Sequence, residues 1–154
     1  RGLKNTQSKI LNTRLRFPFQ TFQKKAEYIR KWLDRMIVDS NNIQKIGSGF
    51  GIVKAYSLLI DTHEKLAKKF TDFKPQKLTA QEKANINTFY KQMKAQSDEL
   101  MKTAKSLKRD VWKTIEQNQI LSKANNEVLP NNFGIEIKYW YPDKGVIMDR
   151  GGVR

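Results

Sequence analysis

A chain of 154 residues with 38% hydrophobic content is long enough for one ordinary domain with a packed core. No run of about 18 apolar residues occurs, which excludes a helical membrane span, and the lack of cysteine excludes disulfides, thiolate nucleophiles and Cys-based zinc sites. Thirty Lys/Arg against fifteen Asp/Glu give a net charge of +15, which implies attraction to polyanions: nucleic acid, anionic lipid, acidic proteins or envelope polymers.

Residues 1–16, RGLKNTQSKILNTRLR, lack the apolar core of a signal peptide and read as the end of a preceding element or a basic linker. Because the chain opens on Arg1, the expectation is a segment of a longer protein with any targeting signal upstream. A cysteine-free chain suits cytoplasm and periplasm alike.

After Pro18, apolar side chains at Phe22, Ala26, Ile29, Trp32, Leu33, Met36 and Ile37 recur at helical spacing and predict an amphipathic helix. Lys24, Lys25, Arg30, Lys31 and Arg35 occupy most of its other face. Pro18 suits the first turn, where its missing N–H costs little, and the DSNN stretch at Asp39 to Asn42 predicts the exit.

The next stretch, IGSGFGIVKAY from Ile46 to Tyr56, places Gly47, Gly49 and Gly51 at alternate positions and imitates a phosphate-binding loop. A kinase loop requires G-x-G-x-x-G-x-V; anchored on Phe50, Gly51 and Val53, its first two glycines fall on Ile46 and Ser48. The H-R-D and D-F-G motifs are missing, and so is the Gly-Lys-Ser/Thr of a P-loop. A dinucleotide turn needs a strand before it, whereas a helical pattern precedes this one. The stretch therefore reads as an elbow between helices, with small residues that allow close approach.

A second helix is expected from Phe50 to Phe70, with Ser48 as N-cap. Its stripe is Ile52, Tyr56, Ile60, His63, Ala67 and Phe70, widened by Leu59 and Leu66, and Pro75 bars its continuation. His63 is the sole histidine and lies on that stripe, which favours a satisfied core side chain over a catalytic or metal-binding one. No cluster of carboxylates at ligand spacing replaces it, and the neighbours Asp98 and Glu99 point to different sides of a helix.

Thr79 and Glu82, in LTAQEK, form the pattern of a capping box. No glycine or proline follows until Pro130, and Ile86, Tyr90, Met93, Ser97, Leu100, Ala104, Leu107 and Val111 keep one coiled-coil-like face aligned. A helix from Thr79 to about Lys123 would span roughly 65 Å. It either projects beyond its neighbours or breaks near Glu116 to Gln119. Away from the seam lie Lys91, Lys94, Lys102, Lys105, Lys108, Arg109 and Lys113, a row able to track a phosphate backbone or anionic surface. A lysine-rich solvated face is the plainer reading, because the aromatics lie on apolar stripes and no nucleic-acid-binding signature is present. The tail after Pro130 alternates Ile135, Ile137, Tyr139 and Tyr141 with polar residues and Trp140, then turns at PDKG, as in a short β-hairpin.

The order of these features, in RFPFQTFQKKAEYIRKWLDRM, IGSGFGIVKAYSLLIDTHEKLAKKF and KPQKLTAQEKANINTFYKQMKAQSDELMKTA, resembles the helical segment that follows the repeats in tetratricopeptide-repeat (TPR) proteins of gliding and predatory bacteria. The likeness covers about Phe17 to Asn118. Ala55 and Ala67 have the separation of the two small TPR positions, while the tryptophan and Leu-Gly pair that precede them in the consensus are missing. The resemblance implies a non-enzymatic helical scaffold, envelope-associated or periplasmic, that binds other proteins, and it transfers no catalytic residue. The expectation is thus an all-α fold of TPR-like antiparallel hairpins over residues 17–123, with a long third helix and a β-hairpin-like tail over 124–154. No cofactor is expected. Partner contacts are assigned to Tyr139, Trp140 and Tyr141 and to Lys102, Lys105 and Arg109; the partners are other proteins, then an anionic polymer or membrane surface, with nucleic acid less favoured.

Overall fold

The computed structural model describes residues 2–46, 48–76, 78–120 and 123–128. Within them the protein is all-helical: α1 (Gly2–Asn12), α2 (Phe19–Ile46), α3 (Gly49–Asp72), α4 (Ala80–Gln117) and a 3-10 segment (Lys123–Glu127), with no strand among the described residues. The expected extended tail over 124–154 is described only at 124–128, which are 3-10 helix and turn packed into the core rather than strand; the expected hairpin lies outside the described residues.

The chain runs up and down. Lys69 of α3 donates to the carbonyls at the end of α1, Leu11 at 2.7 Å and Thr13, so these helices run parallel with α2 antiparallel to both. Phe22 near the start of α2 meets Phe73 just after α3 (centroids 5.3 Å apart) and Phe89 near the start of α4 (5.0 Å), which fixes α3 and α4 as antiparallel. Phe17 completes this aromatic knot, edge-on to Phe89 at 5.1 Å. Such tilted pairs contribute beyond their area burial because ring edges meet ring faces.

α3 is the central rod, packing on α1, α2, α4 and the 3-10 segment. That explains why Val53, Ala55 and Thr62 are buried although they lie outside its expected stripe. A helix covered on several sides needs apolar or hydrogen-bonded side chains nearly all round. Thr62 meets the need by donating back to the Leu58 carbonyl at 2.6 Å.

Ser48 caps α3 as expected, its Oγ accepting from the Gly51 N–H at 3.3 Å. The capping box of α4 is also formed: Thr79 Oγ1 accepts from the Glu82 N–H at 3.2 Å and Glu82 accepts from the Thr79 N–H at 2.9 Å. Glu82 reaches further, taking the Phe19 N–H at 3.3 Å and so tying the starts of α2 and α4 together. The Thr79 N–H, above all, holds the Glu82 carboxyl below the usual range, with help from the Thr79 hydroxyl and Phe19.

Three expectations need correction. Residues 2–12 form a helix whose Leu3, Thr6 and Ile10 are buried in the same core as α2 and α3. α2 does not end at Asp39 to Asn42 but continues to Ile46, since that stretch holds no glycine or proline and Ser40 is buried. On α4 the core position is Phe89, while Tyr90 is 41% exposed, because the aromatic knot draws the neighbouring ring inward. α4 takes the second of its two expected courses, breaking at Gln117 within the Glu116 to Gln119 stretch instead of running on to Lys123. Gln119 takes a left-handed conformation (φ 48°), its N–H bonds the Glu116 carbonyl and the Ile120 N–H bonds the Ile115 carbonyl. This is a Schellman termination. It swings Ile120 back onto the elbow, where a Cβ on Gly49 would lie 3.1 Å from the Ile120 Cγ2. Gly49 thus gives space to a returning side chain. Ile120, Ala124 and Val128 form a second core cluster with Val53, Tyr56, Ile60 and Val111.

Candidate functional site

α2 and α4 both lie against α3 and meet each other chiefly at their starts, through Phe22 with Phe89 and Glu82 with the Phe19 N–H. The consequence is an open groove of about 850 Å³. Its floor is His63, Leu66 and Phe70 of α3; Leu33 and Ile37 of α2 and Met93 and Leu100 of α4 form its apolar walls. A second cavity of about 680 Å³ continues it toward the start of α4, sharing Phe19 and Gln92. Phe19 and Ile37, both partly exposed, mark its α2 edge.

The lips are polar but poor in charge. Along α4 the groove-facing stripe is Gln81, Asn85, Thr88, Gln92, Gln96, Glu99 and Thr103, at helical spacing and without a lysine. Gln20 and Gln23 stand on the α2 side with Glu27 and Arg30. The amides of Gln20, Gln23, Gln92 and Gln96 form no hydrogen bond among the described residues. Neither Glu27 nor Glu99 has an ion-pair partner there.

His63 is 3% exposed, its Nδ1 lying 2.8 Å from the Leu59 carbonyl. Burial lowers its pKa, and the bond to Leu59 opposes that only in part, so the ring is neutral near pH 7. It is a satisfied floor residue. Among the described residues no group of three or more His, Cys, Asp or Glu side chains is placed to hold a metal ion, and no helix is long and apolar enough to cross a membrane.

Lys102, Lys105 and Arg109 are exposed on α4, continued by Lys113, and none of them lines the groove. The basic row and the groove stripe thus occupy different positions around one helix. Lys94 and Lys108 are engaged with Asp98 (3.1 Å) and Glu64 (2.6 Å). Tyr139, Trp140 and Tyr141 lie outside the described residues. At the elbow, Lys54 Nζ and Ser57 Oγ each approach Glu127 Oε2 at 2.7 Å. Burial raises the Glu127 pKa, but the bonds from Lys54 and Ser57 and the Lys54 and Lys4 charges outweigh it, leaving the group below its ordinary value. The lysine after the glycine stretch thus clasps the 3-10 segment.

Sequence reasoning missed the groove, although the amide-rich repeat Gln81, Asn85, Gln92 and Gln96 was a signal for it. Comparisons of this chain with protein-family models, curated proteins and solved structures return no match.

Proposed function

We propose that this chain is a non-enzymatic protein–protein interaction scaffold, with the groove between α2 and α4 receiving a segment of a partner protein. The observation that supports this is an open slot whose apolar walls, Ile37 and the half-buried Leu33 and Leu100, stay partly exposed above a buried floor. Contiguous apolar surface of this kind marks interaction sites, and grooves between helices hold peptide segments by burying their apolar side chains. Successive antiparallel helices around a central rod are compatible with a TPR-like hairpin arrangement. In this reading the chain is part of a larger TPR-type, envelope-associated protein, and Tyr139, Trp140 and Tyr141 add contacts to the same partner. Placing a photo-crosslinking residue at Gln96 or at Lys105 tests it. Partner adducts are expected from the groove position; equal yields at both positions, or none, would refute it.

A second reading, binding of a polyanionic surface, is favoured by the exposed row Lys102, Lys105, Arg109 and Lys113. Four charges over about 16 Å of helix suit a phosphate backbone. Low-salt titration with duplex nucleic acid or heparin is the test, and a flat response eliminates it.

A further inference from the structure

Resting on the scaffold reading, we propose that the groove recognises its partner as an extended peptide, with apolar side chains at alternate positions and a basic residue beside Glu27 and Glu99. Three observations converge on this chemistry.

The lip amides are the first. A carboxamide offers both a donor and an acceptor, as does each peptide unit of an extended chain. A helical partner satisfies its main chain internally and offers Gln92 and Gln96 side chains alone. An extended partner brings unpaired N–H and C=O groups that need such partners.

Spacing is the second. Residues four apart on α4, such as Gln81 and Asn85 or Gln92 and Gln96, are separated by about 6 Å along the helix axis. Two residues of an extended chain advance about 6.6 Å. One polar side chain per turn, four of the five from Gln81 to Gln96 being amides, therefore keeps step with every second peptide unit, while alternate side chains point down toward the half-buried Ala26, Leu33 and Leu100. The stripe from Gln81 to Gln96 covers roughly 22 Å, enough for about seven extended residues.

Charge is the third. The chain carries +15 overall, yet the α4 lip holds no lysine from Gln81 to Thr103 on its groove-facing stripe. Across the wider cavity, two carboxylates without ion-pair partners among the described residues, Glu27 and Glu99, outnumber the single guanidinium of Arg30. The lysines of α4 are concentrated on its other faces. Such a local inversion favours a lysine or arginine at that end of the peptide and disfavours an acidic one.

The test uses the full chain and three fluorescein-labelled probes read by anisotropy. One is a nonapeptide with isoleucine at alternate positions, glutamine between them and lysine at both ends. Another is the same peptide N-methylated at alternate residues, and the last is an amphipathic helical peptide of matched charge. The alternating peptide is expected to bind about tenfold more tightly than either alternative, the scale of one or two main-chain hydrogen bonds. Gln92→Leu with Gln96→Leu is expected to weaken it about fivefold without lowering the melting temperature. Glu99→Lys is expected to weaken it in a salt-sensitive way. Equal or tighter binding of the helical peptide overturns the extended register and leaves the scaffold reading standing. No saturable binding by any probe up to about 1 mM overturns both. Binding seen only after deletion of residues 129–154 overturns the assignment to a separate partner, since the chain's own end would then be the occupant.

Discussion

Ile10→Ala probes whether α1 belongs to the cooperative unit. Ile10 is 0% exposed and sits in the core cluster with Leu3, Ile29, Met36 and Leu59. Alanine removes three carbons, a transfer loss of about 2.4 kcal/mol at about 0.8 kcal/mol each. The vacated space lies between α1 and two longer helices that are held by their own contacts, so it collapses incompletely and adds a cavity term. The expected total is about 3 to 4 kcal/mol, a large fraction of the roughly 5 to 15 kcal/mol that holds an ordinary domain together. Urea unfolding followed by far-ultraviolet circular dichroism gives the number, provided the denaturant slope is unchanged. Ile46→Ala, at a side chain 78% exposed, serves as the control and is expected to cost under about 0.5 kcal/mol. A loss below about 1 kcal/mol at Ile10 would refute the reasoning and return residues 2–12 to the status of an appendage.

The His63 imidazole has its pKa lowered by burial from an ordinary 6.5, so the unfolded chain binds the extra proton first as pH falls. Stability from this group is full above about 6.5 and declines as pH drops toward the folded-state pKa; because the chain has a single histidine, His63→Gln is expected to flatten the unfolding midpoint between pH 5 and 7. A slope unchanged in the variant would show that other groups carry it. Thr79→Ala opens the capping box and is expected to cost about 1 kcal/mol by thermal unfolding, with Thr79→Ser recovering most of it. Equal losses in both variants would count against the cap. Replacing Lys102, Lys105 and Arg109 together by glutamine is expected to reduce the slope of log affinity against log salt for duplex nucleic acid by about 2 to 3, and an unchanged slope would place the polyanion contacts elsewhere.

Helix identity was legible where the signal is local. The Thr79 and Glu82 box and the Ser48 cap follow from side chains that satisfy N–H groups within three residues of themselves. The stripe of α2 was legible because one face is buried and the other is solvated. The α4 stripe was legible in outline, with the Tyr90 and Phe89 exchange showing its limit: both rings suit the period, and only the knot with Phe17, Phe22 and Phe73 selects between them. α1 was missed because its 11 residues carry only three large apolar side chains, Leu3, Ile10 and Leu11, among lysines and amides, although these keep helical spacing. Its order comes from the α2 and α3 surfaces it covers, supported by Gln7, whose amide reaches Asp61 at 2.9 Å and Thr62 at 3.1 Å.

The candidate site divides in the same way. Lys102, Lys105 and Arg109 were placed on the exposed face from helical spacing alone, since an α4 seam on one side leaves the opposite side to water. The groove required the tertiary structure. A sequence reports which face of each helix is apolar, but not that α2 and α4 both lean on α3 with a slot left between them. Local spacing thus determined four rods less one, their caps and their solvated faces, because those depend on neighbours within a turn or two. The slot between nonadjacent helices, the return of Ile120 onto Gly49 and the rank of α3 as the central rod depend on contacts between residues far apart in the chain, and only packing decided them.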